Sequence, residues 1–361
     1  MNFSKLINIF IIALVIALGV FLYYFLQSKE ETISPDTSFP YENLTHKILV
    51  SCRQDNNWGI YAYDFDQNKT VKIIDGVHNE FAPLISSKQN SFYYVQVEDN
   101  YNRIVKYSIS DNDTDNLVFT KNKIYAFEVA PNEKKLLYTE LEANQQSLFI
   151  YDSQDDSIEK IAEQVVDFTW FPDGDKFAYI RDKNLYVASI GRISEQIDSE
   201  IEIASGLNNI VAVPGTKDSF LSVSEIDGQF NLVMINTTNK EISQFSQLEL
   251  PISEGDRFKM SYATDQSGII LSRIEQIQFL RGTVWLLNRA GRSVQAILND
   301  VSTPIWSDSA EEIYYVKMDA SGLSNIWSYN LDTKQEIKLT DMDSCNSPAG
   351  QNQRKSMILK Y

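Results

Sequence analysis

The chain has 361 residues, of which 43% are hydrophobic and 12% aromatic, enough apolar material for more than one ordinary domain core. Its 32 bases against 49 acids leave a net charge of −17 at pH 7, which excludes a nucleic-acid binder working through a basic surface. Two His and two Cys exclude zinc ribbons, Cys-rich scaffolds and His-clustered metal sites.

A short tail, residues 1–5, precedes an uncharged run at 6–26, LINIFIIALVIALGVFLYYFL. As a helix this run is about 30 Å long, the thickness of a bilayer core. Tyr23 and Tyr24 lie near its far end, where amphipathic rings favour the interface. A cleaved signal would need small residues at the exit, and FLYYFLQ supplies bulky ones. The expectation is therefore a single-pass signal anchor with the N-terminus cytoplasmic and the rest exported, periplasmic or extracellular. The first 31 residues carry as many acids as bases, so the whole negative charge belongs to the exported part. Residues 27–45, QSKEETISPDTSFPYENLT, are polar, hold Pro35 and Pro40, and read as a flexible linker.

From His46 onward, short runs of β-branched and aromatic residues alternate with Asp/Asn/Gly turns, and no helical period is sustained. One phrase recurs: strand, turn, strand, polar loop, strand, polar turn, strand. Clear copies start at Phe81, Phe127, Phe168 and Thr303, and weaker ones near Ile210 and Phe258. Turn anchors at Pro83, Pro131, Pro172, Pro214, Thr264, Asp308 and Pro348 are spaced by about 44 residues. Four short strands per period of that length predict a β-propeller blade, because one such sheet cannot bury either apolar face alone.

The phrases WFPDGDKFAYI, VAPNEKKLLY and IWSDSAEEIYYV resemble the TolB-like, WD-repeat-like β-propeller repeat, over residues 46–361. The resemblance is to the propeller module, since the linker is too short for the further α/β domain of TolB. Only Pro172-Asp173-Gly174 keeps the full Pro-Asp-Gly turn. It implies an envelope-associated role by analogy alone.

A phrase lacking its first strand (Lys47 to Ile74) and the beginning of another (Asp343 to Tyr361) complement each other. The predicted fold is thus all-β: a seven-bladed propeller of four-stranded antiparallel blades, closed by both termini and preceded by one transmembrane helix. Eight blades would follow if SMILKY formed a partial sheet of its own. Cys52 and Cys345 both fall in the composite blade. In an oxidising compartment a disulfide there would lock the ring shut, but alignment on the repeat puts Cys345 opposite Leu49 and so favours two separate buried thiols, the pairing staying open.

The sequence has no His-Glu-x-x-His, Gly-x-Ser-x-Gly, phosphate-binding Gly-Lys loop or Cys-x-x-Cys. The stretch Ser321–Asn325 lacks the nucleophile-elbow pattern. Acidic runs at Asp111–Asp115 and at Asp152, Asp155 and Asp156 lack calcium-loop spacing and read as solvated turns. Glycosylation-type tripeptides begin at Asn43, Asn68, Asn112 and Asn236, a chance outcome in so Asn-rich a chain. The expectation is a monomeric, non-enzymatic interaction module of the cell envelope, with no cofactor. Its partner would be a protein or cell-wall component, and its anchor types Trp58, Tyr101 and Arg103, although packing beside the next strand is the slightly favoured role of Trp58. The alternative is a metal-assisted hydrolase or lactonase with a site in the central channel.

Overall fold

Alternation of β-branched and aromatic residues with turn residues folds into strands throughout the described region of the molecule. This computed structural model describes residues 39–361, apart from 75, 143–144, 190–198, 202–206, 208, 252–256, 264, 277–280, 289–293, 351–352, 354 and 358–361. The apolar run at 6–26 lies outside the described residues. Among the described residues no helix is long and apolar enough to cross a membrane.

The body opens with β1 (Lys47–Gln54), β2 (Asn57–Asp64) and β3 (Lys69–Ile74). A complete antiparallel sheet follows, made of β4 (Asn79–Ile85), β5 (Ser91–Val97), β6 (Asn102–Ser108) and β7 (Asp113–Thr120). The next is β8 (Lys123–Val129), β9 (Lys135–Glu142), β10 (Gln145–Asp152) and β11 (Ser157–Ala162). Then come β12 (Val165–Trp170), β13 (Lys176–Arg181), β14 (Asn184–Ser189) and β15 (Ser199–Ile201). After these stand β16 (Ile210–Ala212), β17 (Ser219–Ile226), β18 (Gln229–Asn236) and β19 (Glu241–Pro251). A longer sheet takes, in chain order, β20 (Arg257–Tyr262), β21 (Gly268–Gln276), β22 (Arg281–Asn288), β23 (Val294–Trp306), β24 (Glu312–Met318), β25 (Ser324–Asn330) and β26 (Glu336–Lys338). Finally, β27 (Ser344–Ala349) pairs with β1 and β28 (Lys355–Met357) pairs with β8. The architecture is all-β, built mainly from four-stranded antiparallel sheets in the manner of a β-propeller.

Apolar cores fill the gaps between successive sheets. In β13, Phe177 and Tyr179 enter the core shared with β8–β10, while Ala178 and Ile180 enter the core shared with β16–β18. A period of two therefore serves two cores, and both parities must be apolar. Aromatic rings fill these gaps: Phe171 meets Phe220 edge-on at 4.7 Å, and Phe230 meets Phe258 at 4.6 Å. Each fully buried ring of this kind contributes about 1.5–3 kcal/mol.

The same inner turn recurs around the structure. The backbone N–H of Gln89, Glu133, Gly174, Thr216, Gln266 and Ala310 donates to the carbonyl three residues earlier, in Ser86, Ala130, Phe171, Val213, Ala263 and Ser307. Gly174 adopts φ +73, and a Cβ there would come within 3.1 Å of Pro131 Cδ, which accounts for the glycine of the Pro-Asp-Gly turn. Two expected turn anchors are corrected. Pro83 and Pro348 lie inside β4 and β27, where proline cannot donate to the ladder and instead sits at a bulge. Ala82, Thr303 and Ser347, each preceding a proline, all have positive φ (53, 46 and 49) beside breaks in register.

That bulge also corrects the cysteine expectation. Skipping Ser347 and Pro348 puts Ala349 opposite Leu49 and Cys345 opposite Cys52. Their Cα atoms are 4.1 Å apart and the sulfurs are bonded at 2.09 Å. Within the stretch 27–45, described here from residue 39, Leu44 is fully buried, and Phe39 packs 5.4 Å from the Tyr107 ring and donates its N–H to Asn112 Oδ1. Phe39–Tyr361 forms one compact unit.

The disulfide joins residues 293 apart. Cross-linking so long a loop restricts the unfolded chain, so Cys345→Ser should destabilise the protein by about 3–5 kcal/mol. Denaturant unfolding with and without reductant checks this, and thiol titration of the unfolded protein should find free thiols only after reduction.

Candidate functional site

Inner strands from successive sheets line a common cavity of about 1090 Å³. Its walls come from β4, β8, β12, β16, β20 and the last residues of β23, with Gln353 and Lys355 of the C-terminal segment entering it. Most of the lining is apolar, with charges placed singly on different strands.

Glu128 on β8 is 1% exposed. Its Oε1 accepts from the Thr169 hydroxyl at 3.1 Å and the Trp170 backbone N–H at 3.2 Å, and its carbonyl accepts the Trp170 indole N–H at 3.1 Å. Trp306 repeats the indole bond, donating to the Ser261 carbonyl at 3.2 Å. In the following sheet Asp167 on β12 has the equivalent role, its Oδ2 accepting the Ile210 N–H at 2.8 Å. These bonds couple neighbouring sheets at their inner edges, where no ladder crosses.

Asp167 Oδ1 also pairs with the Lys355 ammonium, which donates to the Phe168 carbonyl at 2.7 Å and lies 3.9 Å from the Phe168 ring centroid. Lys259 on β20 is half-buried and lines the same cavity. Burial, and then the ammonium of Lys355, push its amine down to about 8, with Asp167 opposing them.

The sequence-predicted anchors lie elsewhere. Trp58 is half-buried, lies tilted 5.3 Å from the Phe81 ring and donates its backbone N–H to Asn79 Oδ1, so it packs against the next strand. Tyr101 and Arg103 are brought together on Phe119, which is 55% exposed: the Tyr101 ring stacks at 4.6 Å and the guanidinium lies 5.3 Å from the ring centroid. Arg103 also pairs with Glu98 at 2.9 Å, and His78 approaches the same Oε1 at 3.7 Å.

The acidic runs serve turns. Asp111 accepts from the Ser108 hydroxyl, Asp155 from Ser157 and Asp156 from Tyr151. Asp319 holds the Ser321 hydroxyl and the Leu323 N–H in a turn of the same kind. Among the described residues no group of three or more His, Cys, Asp or Glu is placed to hold a metal ion. Glu128, Asp167 and Lys259 belong to no motif visible in the sequence, although a signal was present. Each is a charge set within a mostly apolar inner strand, in KIYAFEV, VVDFTW and RFKMSY.

Comparison with known proteins agrees with this architecture. The family described as the dipeptidyl peptidase IV N-terminal region matches residues 140–212. No curated protein sequence matches the chain. Among solved structures, TolB from Acinetobacter baumannii superposes with a TM-score of 0.56 at 13% identity, over 87% of this chain and 68% of that one. An oligogalacturonate lyase from Vibrio parahaemolyticus gives 0.62 at 13% identity, over 83% of this chain and 91% of the lyase. A prolyl endopeptidase gives 0.54 at 10% identity, over 82% of this chain and 50% of the enzyme. These likenesses show a β-propeller fold. They extend to the fold, which serves lyase and peptidase alike in those neighbours.

Lys259 makes a testable demand on stability. Below about pH 8 the folded state carries a desolvated ammonium that the unfolded chain keeps in water. Between about 8 and the ordinary 10.5 the folded state gives up its proton first, so that cost shrinks as pH rises. Lys259→Met should therefore raise the unfolding midpoint at pH 7, and the gain should diminish at about pH 9.5, as followed by thermal melts at both values.

Proposed function

We propose that this chain is a membrane-anchored, extracytoplasmic, seven-bladed β-propeller that acts by binding and not by catalysis. Seven blades follow if the long sheet is counted as two that share β23, whose earlier residues pair with β22 and later ones with β24. The observation that carries the binding role is the state of the channel carboxylates. Asp167 is taken by Lys355 and the Ile210 N–H, and Glu128 by Thr169 and Trp170. Carboxylates so engaged are poor metal ligands and poor general bases, which weighs against a metal-assisted hydrolase or lactonase. The half-buried Tyr101 and Arg103 around the exposed Phe119 offer a second surface, of the composition that anchors protein partners.

The anchor rests on the uncharged run at 6–26. In cell fractionation the full chain should stay in the membrane pellet through an alkaline carbonate wash, and a chain lacking residues 1–31 should not. Protease added outside spheroplasts should digest the propeller. A full-length protein released by carbonate, or protected from external protease, overturns the proposal. Tyr101→Ala with Arg103→Ala should leave the melting midpoint nearly unchanged and weaken capture of a crosslinked partner.

A further inference from the structure

Among the described residues, the channel contains one cation without a counter-charge of its own. Lys355 is neutralised by Asp167, but Lys259 has no hydrogen bond or ion pair within that set. Alternation along β20 sends Phe258 and Met260 into the apolar core shared with β17 and β18, and leaves Lys259 and Ser261 on the other face, lining the cavity. Ser261 and Thr303 line the same cavity, and their hydroxyl oxygens are buried beside it with no hydrogen-bond partner. Thr303 as a whole is 7% exposed and is held at φ 46 by the bulge before Pro304. Buried hydroxyls without partners are costly, and a backbone kept in a sparsely populated region marks a place that the surrounding structure over-determines.

We propose that the channel is an oxyanion site, in which the Lys259 ammonium and the hydroxyls of Ser261 and Thr303 receive the carboxylate or phosphate of a small acidic ligand. This rests on the channel being a binding site, and it is independent of the membrane anchor. A cavity of about 1090 Å³ accommodates such a molecule. The other charges that face the cavity are accounted for. Asp167 of β12 is paired with Lys355 of β28; Glu128 of β8 is held by Thr169 and Trp170; Glu133 lies at the β8–β9 turn and accepts from Ser87. The Lys355 ammonium weighs on Lys259 more heavily than the Asp167 carboxylate does, so the potential at the amine favours an anion. A bound anion would hold the proton on Lys259, and its affinity should fall as pH rises past about 8.

Pyridoxal 5′-phosphate tests this on the full chain in detergent, because it carries both an oxyanion and an aldehyde. The amine adds to the aldehyde carbon, water leaves, and borohydride reduces the imine to a stable secondary amine that peptide mapping can locate. At about pH 8 and equimolar reagent, Lys259 should carry most of the label. Millimolar phosphate or citrate should slow labelling about tenfold, and glucose should not. Pyridoxal without its phosphate should react about tenfold more slowly. Lys355→Met should reduce labelling by freeing Asp167 to pair with Lys259. Adding Asp167→Asn, which keeps an acceptor for the Ile210 N–H, should restore it. Lys259→Met should abolish the label while circular dichroism stays unchanged. Label spread over surface lysines, no protection by either anion, or equal rates for pyridoxal and its phosphate would overturn the site. None of those failures bears on carbonate extraction or protease access, which test the anchored propeller separately.

Discussion

A four-stranded sheet with two apolar faces cannot shield itself from water, and that deficit organises this molecule. Every sheet leans on the next, and the strands alternate between two cores. In β13 this places Phe177 and Tyr179 on one side and Ala178 and Ile180 on the other. Contact between sheets is almost wholly side-chain packing, which is directionless, so the spacing is set by large rings that fill a wedge. Direction comes from a few polar bonds at the inner edge. Trp170 and Trp306 reach back to a carbonyl of the preceding inner strand, and Glu128 and Asp167 reach forward to a backbone N–H of the following one.

Such an arrangement has two ends, and an exposed sheet edge at either would invite pairing with another chain. Here β27 covers the inner edge of β1, and Cys52–Cys345 fastens the pairing covalently. The chain then continues past this closure, and β28 covers the edge of β8 as well, bringing Lys355 to Asp167. The C-terminal segment is therefore both the last piece of the scaffold and a stretch of the channel wall. That double duty leaves Lys259 without an acidic partner among the described residues.

The repeat was legible because turn chemistry and strand alternation are local: WFPDGDKFAYI encodes a strand, a turn and a strand within a few letters. Composite closure was legible too, since two incomplete phrases stood at opposite ends of the chain. Register was not. Ser347 and Pro348 form a bulge whose extra residue is visible only once β27 lies against β1, and reading Pro348 as a turn displaced Cys345 from its true partner. The channel charges were overlooked for a related reason. One Asp in VVDFTW or one Lys in FKMSY looks like an interruption of an apolar strand until the strands surround a common space.

The sequence by itself determined the class of structure and the pairing of the chain's two ends, because these depend on periodicity and on turn residues a few positions apart. Only the tertiary structure decided which cysteine faces which, which carboxylates are occupied and which lysine is left over. Those are questions of distance between residues far apart in sequence, such as Asp167 and Lys355, and no local pattern carries them.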